Sequence, residues 1–223
     1  MAVFHDSQID RPALRAYRLG RVREQLRARD YAGILLYDPL NIRYATDTSN
    51  MQVWTMHNAV RYAWVPTEGP IVLFDFHGCE HIHEGNEVIG EMRPRVSYFY
   101  LENGPRCEER VQVWADEIAD RVRANGGGNR RIAIDKVEPL GAKALADRQL
   151  EMLDGQEVME LARAIKSELE VAAMMEAVEG CEEGMRRMQQ ALEPGISENK
   201  LWSILHADNI ELGGAWIETR VLS

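Results

Sequence analysis

Between Tyr31 and Pro39 the chain reads YAGILLYDP, a compact apolar run closed by Asp-Pro. A run this short, bounded by turn residues, predicts a buried strand. Such a strand has to be covered by other elements, and the flanking segments supply them. DRPALRAYRLGRVREQLRARD precedes it, with Asp10 placed as an N-cap, Pro12 just inside the helix, and Leu19, Val22 and Leu26 at helical spacing. PLNIRYAT follows as one short helical turn. AVRYAWVPTEGPIVLFD then predicts two strands joined by Pro-Thr-Glu-Gly-Pro, an antiparallel hairpin. RVSYFYL is a further strand candidate. RCEERVQVWADEIADRVRANGGG is a helix with Val111, Trp114, Ile118 and Val122 on one face and glycines ending it. RRIAIDK predicts a strand, PLGAKALADRQL a helix, and GQEVMEL a short strand or turn. Strands alternating with helices at this spacing define an α/β domain with a mixed sheet, since the hairpin is antiparallel.

The pattern then changes. KSELEVAAMMEAVEGCEEGMRRMQQALEPG is one long helix, opened by the capping-box pair Ser167 and Glu170 and stopped by Pro194-Gly195. Val171, Met174, Met175, Val178, Cys181, Met185, Met188 and Leu192 form its apolar stripe, a composition that suits adaptable core. A second helix, SENKLWSILHADNIELGG, is followed by AWIETRVLS, whose alternation suggests a strand. Two helices and one strand do not enclose a core, so this part is expected to open a second domain whose remainder is absent. As a fragment, it would expose Met174, Met188 and Leu222 or bury them against another copy.

Charge narrows the partners. A formal charge of −10 argues against nucleic acid and anionic membrane, because both require a basic face. The arginines between Arg11 and Arg29 read as a solvated helix face. No stretch of about eighteen apolar residues is present, and the N-terminus lacks the apolar core of a signal peptide. Cys79, Cys107 and Cys181 are odd in number and far apart, so no disulfide framework is expected, and a cytoplasmic location fits. None of the three has a visible base partner, which makes inert thiols the expectation.

FHGCEHIHEG holds the densest group of potential ligands, His77, Cys79, His81 and His83. On a strand, residues i and i+2 stand about 7 Å apart, too far for neighbouring ligands on one ion unless the chain bends. On a helix, His77 with His81 or Cys79 with His83 would make i, i+4 pairs, each an incomplete site. The alternatives are a polar helix start and a small metal site. GGGN at Gly126 follows a helix and precedes a strand, so it reads as a helix stop rather than a phosphate loop.

Arg163-Ala164-Ile165-Lys166-Ser167-Glu168-Leu169-Glu170, followed by Leu192, Pro194, Gly195, Ser197 and Glu198, resembles the motif pair that opens the catalytic domain of the M24 family. That family comprises creatinase, prolidase and aminopeptidase P, the pita-bread metallopeptidases. NIRYAT and WVPTEGPIVLF resemble its N-terminal domain. NMQVWTMHNAVRYAWV, VLFDFHGCEHI and GGAWIETRVLS look most like a bacterial branch that includes dimethylsulfoniopropionate lyases.

The resemblance implies a creatinase-type N-terminal domain over 1–158 and the truncated start of a pita-bread α+β domain over 159–223. The parent would be a metal-dependent Xaa-Pro hydrolase or a dimethylsulfoniopropionate lyase working as a homodimer on a dipeptide or small molecule. Its divalent metal ions would be held by residues of the catalytic sheet beyond this chain. No metal ligand, catalytic residue or cofactor is therefore carried over, and the chain alone is expected to be inactive. In the family the segment around NMQVWTMHNAVRY reaches over the partner's active site, which makes Trp54, His57 and Arg61 candidate substrate contacts in trans. Asp135 matches an acidic strand end and is expected to cap the next helix. FHGCEHIHEG becomes a strand-to-helix junction. The rival reading is a free-standing, non-catalytic interaction module built from the same domain.

Overall fold

The computed structural model describes residues 9–211, in two compact units. The first spans Arg15–Ile165. It contains all but the first residues of α1 (Arg11–Ala28), then β1 (Gly33–Leu36), α2 (Pro39–Thr46), α3 (Gln52–His57), β2 (Tyr62–Pro66) and β3 (Ile71–Asp75). It continues with β4 (Ile89–Pro94), α4 (Tyr100–Asn103), α5 (Cys107–Gly126), β5 (Arg131–Ile134), α6 (Pro139–Asp147), β6 (Glu151–Asp154) and α7 (Gly155–Ala164). The second unit carries α8 (Glu168–Ala191) and α9 (Glu198–Glu211).

The strands form one six-stranded mixed sheet in the order β4-β3-β2-β1-β5-β6. β2 is antiparallel to β1 and β3, and every other neighbouring pair is parallel. Five strands therefore point one way and β2 alone runs back.

Alternate residues of each strand feed two cores. Leu35, Tyr62, Trp64, Val72, Phe74 and Ile132 face Val111, Trp114, Ile118 and Val122 of α5. Ile34, Leu36, Ala63, Val65, Leu73 and Ala133 face Leu19, Val22 and Leu26 of α1, Ile42 of α2, and Val158, Met159 and Ala162 of α7. β1, β2 and β3 are buried at every position, so both layers require them. Fully burying one such aliphatic side chain contributes about 1.5–3 kcal/mol.

Several elements differ from the sequence expectation. RVSYFYL is not a strand; β4 lies just before it. The β3–β4 ladder ends at Asp75 opposite Pro94, so residues 95–99 have no strand left to pair with. The Arg95 N–H still reaches Asp75 O, and the Val96 N–H reaches the Tyr62 hydroxyl. GQEVMEL is helical: Asp154 accepts the Gln156 N–H, and Val158, Met159 and Ala162 bury at helical spacing. The expected division at 158 falls inside this helix, which packs on the sheet as part of the first unit. PLNIRYAT makes two turns instead of one, because the Asp38 carboxylate accepts the Leu40 and Asn41 N–H groups.

In the second unit the capping box of Ser167 and Glu170 is formed, and Gly195 turns the chain at φ +95° between α8 and α9. Arg187 clasps Glu183, Asp208 and Glu211, and hydrogen bonds from Arg186 and then Arg187 hold the Glu183 carboxyl down at about 2. Val171, Met174, Met175, Val178, Met185 and Leu192 are exposed, as is Trp202 on α9. The stripe is thus not core within the described residues. AWIETRVLS and Leu222 lie outside them.

Candidate functional site

The common direction of five strands gathers their carboxyl ends at one sheet edge, together with the start of β2. In layered α/β folds this edge is where loops assemble sites. α3, the 3-10 turn Glu80–His83, α4 and the loop after β5 all leave from it.

Arg61 precedes β2 and is 1% exposed, not a surface residue. Its Nε donates to Asp75 Oδ2 at 2.6 Å and its Nη2 donates to Thr48 Oγ1 at 2.8 Å. Asp75, at the end of β3, is 0% exposed. Its Oδ1 also accepts from Asn50 Nδ2 and from the Phe76 N–H, both at 2.8 Å. The guanidinium expected to hold a substrate carboxylate thus already holds one belonging to the protein.

Trp54 and His57 lie on α3, in a segment to which the sequence reading assigned no helix. Thr55 is its buried residue, with a hydroxyl that donates to Met51 O at 3.0 Å. At the far end Asn58 N–H and Nδ2 both reach Trp54 O, and Lys136 Nζ donates to Met56 O at 2.9 Å. A cation at the carbonyl end of a helix is favourably placed. Trp54 is half-buried and meets Phe99 edge to face with ring centroids 6.5 Å apart. His57 is exposed, as are Met51, Val53 and Met56. The structure therefore keeps Trp54 and His57 together on one short helix and separates Arg61 from them as a buried residue bonded to Asp75 and Thr48.

The histidine run occupies the connection between the parallel strands β3 and β4, as a single 3-10 turn with no buried residue. A parallel pair needs a crossover of about a dozen residues, and this run provides part of it. Among the described residues no three His, Cys, Asp or Glu side chains stand together as metal ligands would. All three cysteines are free; Cys79 Sγ lies 3.4 Å from Asn50 Nδ2.

Asp135 does not cap α6, whose first turn receives no side-chain cap. Its carboxylate instead accepts the Tyr37 and Asp38 N–H groups and Asn41 Nδ2, closing the gap between β5 and the β1–α2 turn. Burial raises its pKa above the ordinary value, against the pull of these three donors.

The residues that spacing alone did not single out are Thr48, Asn50 and Asp75. A signal for Asp75 was present: Tyr62 pairs with Phe74, and one step further the hairpin register sets Arg61 opposite Asp75.

The profile of the Creatinase/Prolidase N-terminal domain matches residues 18–165. A dimethylsulfoniopropionate lyase, DddP, of Roseobacter denitrificans is 38% identical over 100% of this chain and 52% of its own length. A second DddP, from Roseovarius nubinhibens, is 36% identical over 96% of this chain and 49% of its own. The chain thus spans about half the length of these curated relatives. In fold it resembles the prolidase from Thermococcus sibiricus, with a TM-score of 0.63 and 19% identity over 89% of this chain and 50% of that one. The Xaa-Pro dipeptidase from Bacillus anthracis gives a TM-score of 0.61 and 16% identity over 87% of this chain and 48% of that one. Among the described residues no helix is long and apolar enough to cross a membrane. The chain belongs to the M24 family, as the bearer of a creatinase/prolidase N-terminal domain.

Proposed function

We propose that this chain is the N-terminal portion of a metal-dependent M24 enzyme of the dimethylsulfoniopropionate lyase kind, and that α3 is its substrate-facing segment in a homodimer. Similarity to two lyases along nearly the whole chain supports the lyase over the Xaa-Pro hydrolase. The observation that carries the role of α3 is Trp54, half-exposed beside exposed His57 on a helix whose lead-in residue Asn50 is tied to the buried Arg61–Asp75 pair.

A sulfonium is a cation, and an indole face attracts one by about 0.5–2 kcal/mol as water is removed. Elimination from such a substrate takes a proton from the carbon next to the carboxylate, breaks the bond from the β-carbon to sulfur, and leaves acrylate and dimethyl sulfide. By the family resemblance, the metal and the base are assigned to the catalytic domain of the whole enzyme. Trp54 and His57 would then bind and orient substrate at the partner's site, and the chain alone would be inactive.

The test is a chimera in which this chain replaces the matching half of the Roseobacter denitrificans lyase. Metal-loaded chimera should form dimers and release dimethyl sulfide, while the 223-residue chain alone should release neither dimethyl sulfide nor, from an Xaa-Pro dipeptide, proline. A folded, metal-loaded chimera that stays monomeric and silent would contradict the proposal and favour a non-catalytic interaction module. Turnover by the isolated chain would contradict it too.

A further inference from the structure

Six residues of helix have little packing of their own, so α3 needs an anchor to hold one angle on the sheet edge. The segment that leads into it is fixed at both ends. At its start, the Thr46 hydroxyl donates to Ile42 O at 2.6 Å and stands 2.8 Å from Thr48 Oγ1, which accepts from Arg61. At its finish, Asn50 Nδ2 donates to Asp75 Oδ1. The next residue, Met51, takes a left-handed φ of +43°, and α3 begins directly after it. The direction of α3 thus follows from the point at which Asn50 is held.

The same carboxylate oxygen accepts the Phe76 N–H, where the chain leaves β3, and Asn50 Nδ2 also reaches Cys79 Sγ at the head of the histidine turn. Asp75 O accepts the Arg95 N–H, from which Arg95 forks onto Glu102 of α4 at 2.7 Å. One residue thus ties down three surface segments. A carboxylate suits the position because one oxygen serves Arg61 while the other serves Asn50 and Phe76; an amide would offer a single acceptor.

We infer that Asp75 is a positioning residue for α3. Through Asn50 it sets where Trp54 and His57 stand, and it holds the histidine turn to the same anchor. The inference rests on the substrate-facing role of α3, but the tether belongs to this chain and is read without turnover.

The decisive variant is Asn50→Ala in the 223-residue chain, which cuts the tether and leaves the Arg61–Asp75 pair in place. Tryptophans are labelled with 5-fluorotryptophan, and the Trp54 fluorine resonance is assigned by its loss in Trp54→Phe. Expected are a shifted or broadened Trp54 line and α3 amides exchanging at least about tenfold faster, with amides of β2 and β3 unchanged. An unmoved Trp54 line with unchanged α3 exchange would overturn the inference. So would acceleration spread evenly over β2 and β3, the mark of a purely structural pair. Asp75→Asn should reproduce the effect more strongly; if it does not fold, Asn50→Ala still decides. Failure of the substrate role would show differently, as kinetics indifferent to Trp54 with the tether intact.

Discussion

Arg61 and Asp75 face each other across the mouth of the β2–β3 hairpin, 2.6 Å apart and closed off from solvent on both sides. Attraction between two buried ions is set against the loss of their hydration, so the net worth of such a pair is modest, while removing one partner is severe. Arg61→Ala should destabilise the chain by about 3–5 kcal/mol in urea unfolding. Replacing both residues by apolar ones of similar size should cost less than Arg61→Ala alone. A single-variant cost under about 1 kcal/mol would contradict this account of the pair.

Gly155 opens α7 against the sheet, and a Cβ there would stand 2.5 Å from Ile134 C and 2.7 Å from Asp135 N. Gly155→Ala should therefore cost about 1–3 kcal/mol through displacement of α7. Gly20, inside α1, has no atom within 4 Å of an added Cβ. Gly20→Ala should stabilise by about 0.5–1 kcal/mol, from helix propensity and a less free unfolded chain. Thermal melts of the two variants should move in opposite directions.

Burial raises the Asp135 pKa above its ordinary 3.8. The folded chain then holds that proton more tightly than the unfolded chain does. Stability from this group is full below pH 3.8 and is lost as pH rises through the folded value. Carboxyls such as Glu87 and Glu102, held down by Arg15 and Arg95, act in the opposite sense, so the Asp135 effect is isolated by comparison with Asp135→Asn. The stability of wild type relative to that variant should fall as pH rises from 3.8. A difference that grows with pH would reverse the assignment.

The exposed stripe of α8 predicts a different response. Met185→Gln should change the stability of this chain by less than about 0.5 kcal/mol, whereas Leu26→Ala, in the core between α1 and the sheet, should cost about 2–5 kcal/mol. Urea midpoints of the two variants provide the measurement.

Much of the fold is written locally. The hairpin, β1 and β5 announce themselves as short apolar runs between turn residues because they are enclosed by two layers, and α1 and α5 through helical periodicity because each faces a single layer. β4 does not: IGEMRP carries Gly90 and Pro94 and buries only Ile89 fully, so its place comes from pairing with β3 rather than from its own pattern. α7 was hidden by its length, a single amphipathic stretch whose cap, Asp154, also ends a strand. α3 was legible as a candidate site but not as a helix, since its lone buried residue is Thr55. The pair that holds its lead-in became visible only through hairpin register, which turns two charges fourteen residues apart in sequence into neighbours.

The most direct measurement on the central claim is the steady-state kinetics of the chimera with and without Trp54→Ala. If α3 presents Trp54 to the substrate cation, KM for dimethylsulfoniopropionate should rise about tenfold, the equivalent of a contact of about 1.4 kcal/mol, with kcat held within about twofold. A variant with unchanged KM and kcat, its metal content and dimerisation intact, would contradict the claim that this domain faces the substrate.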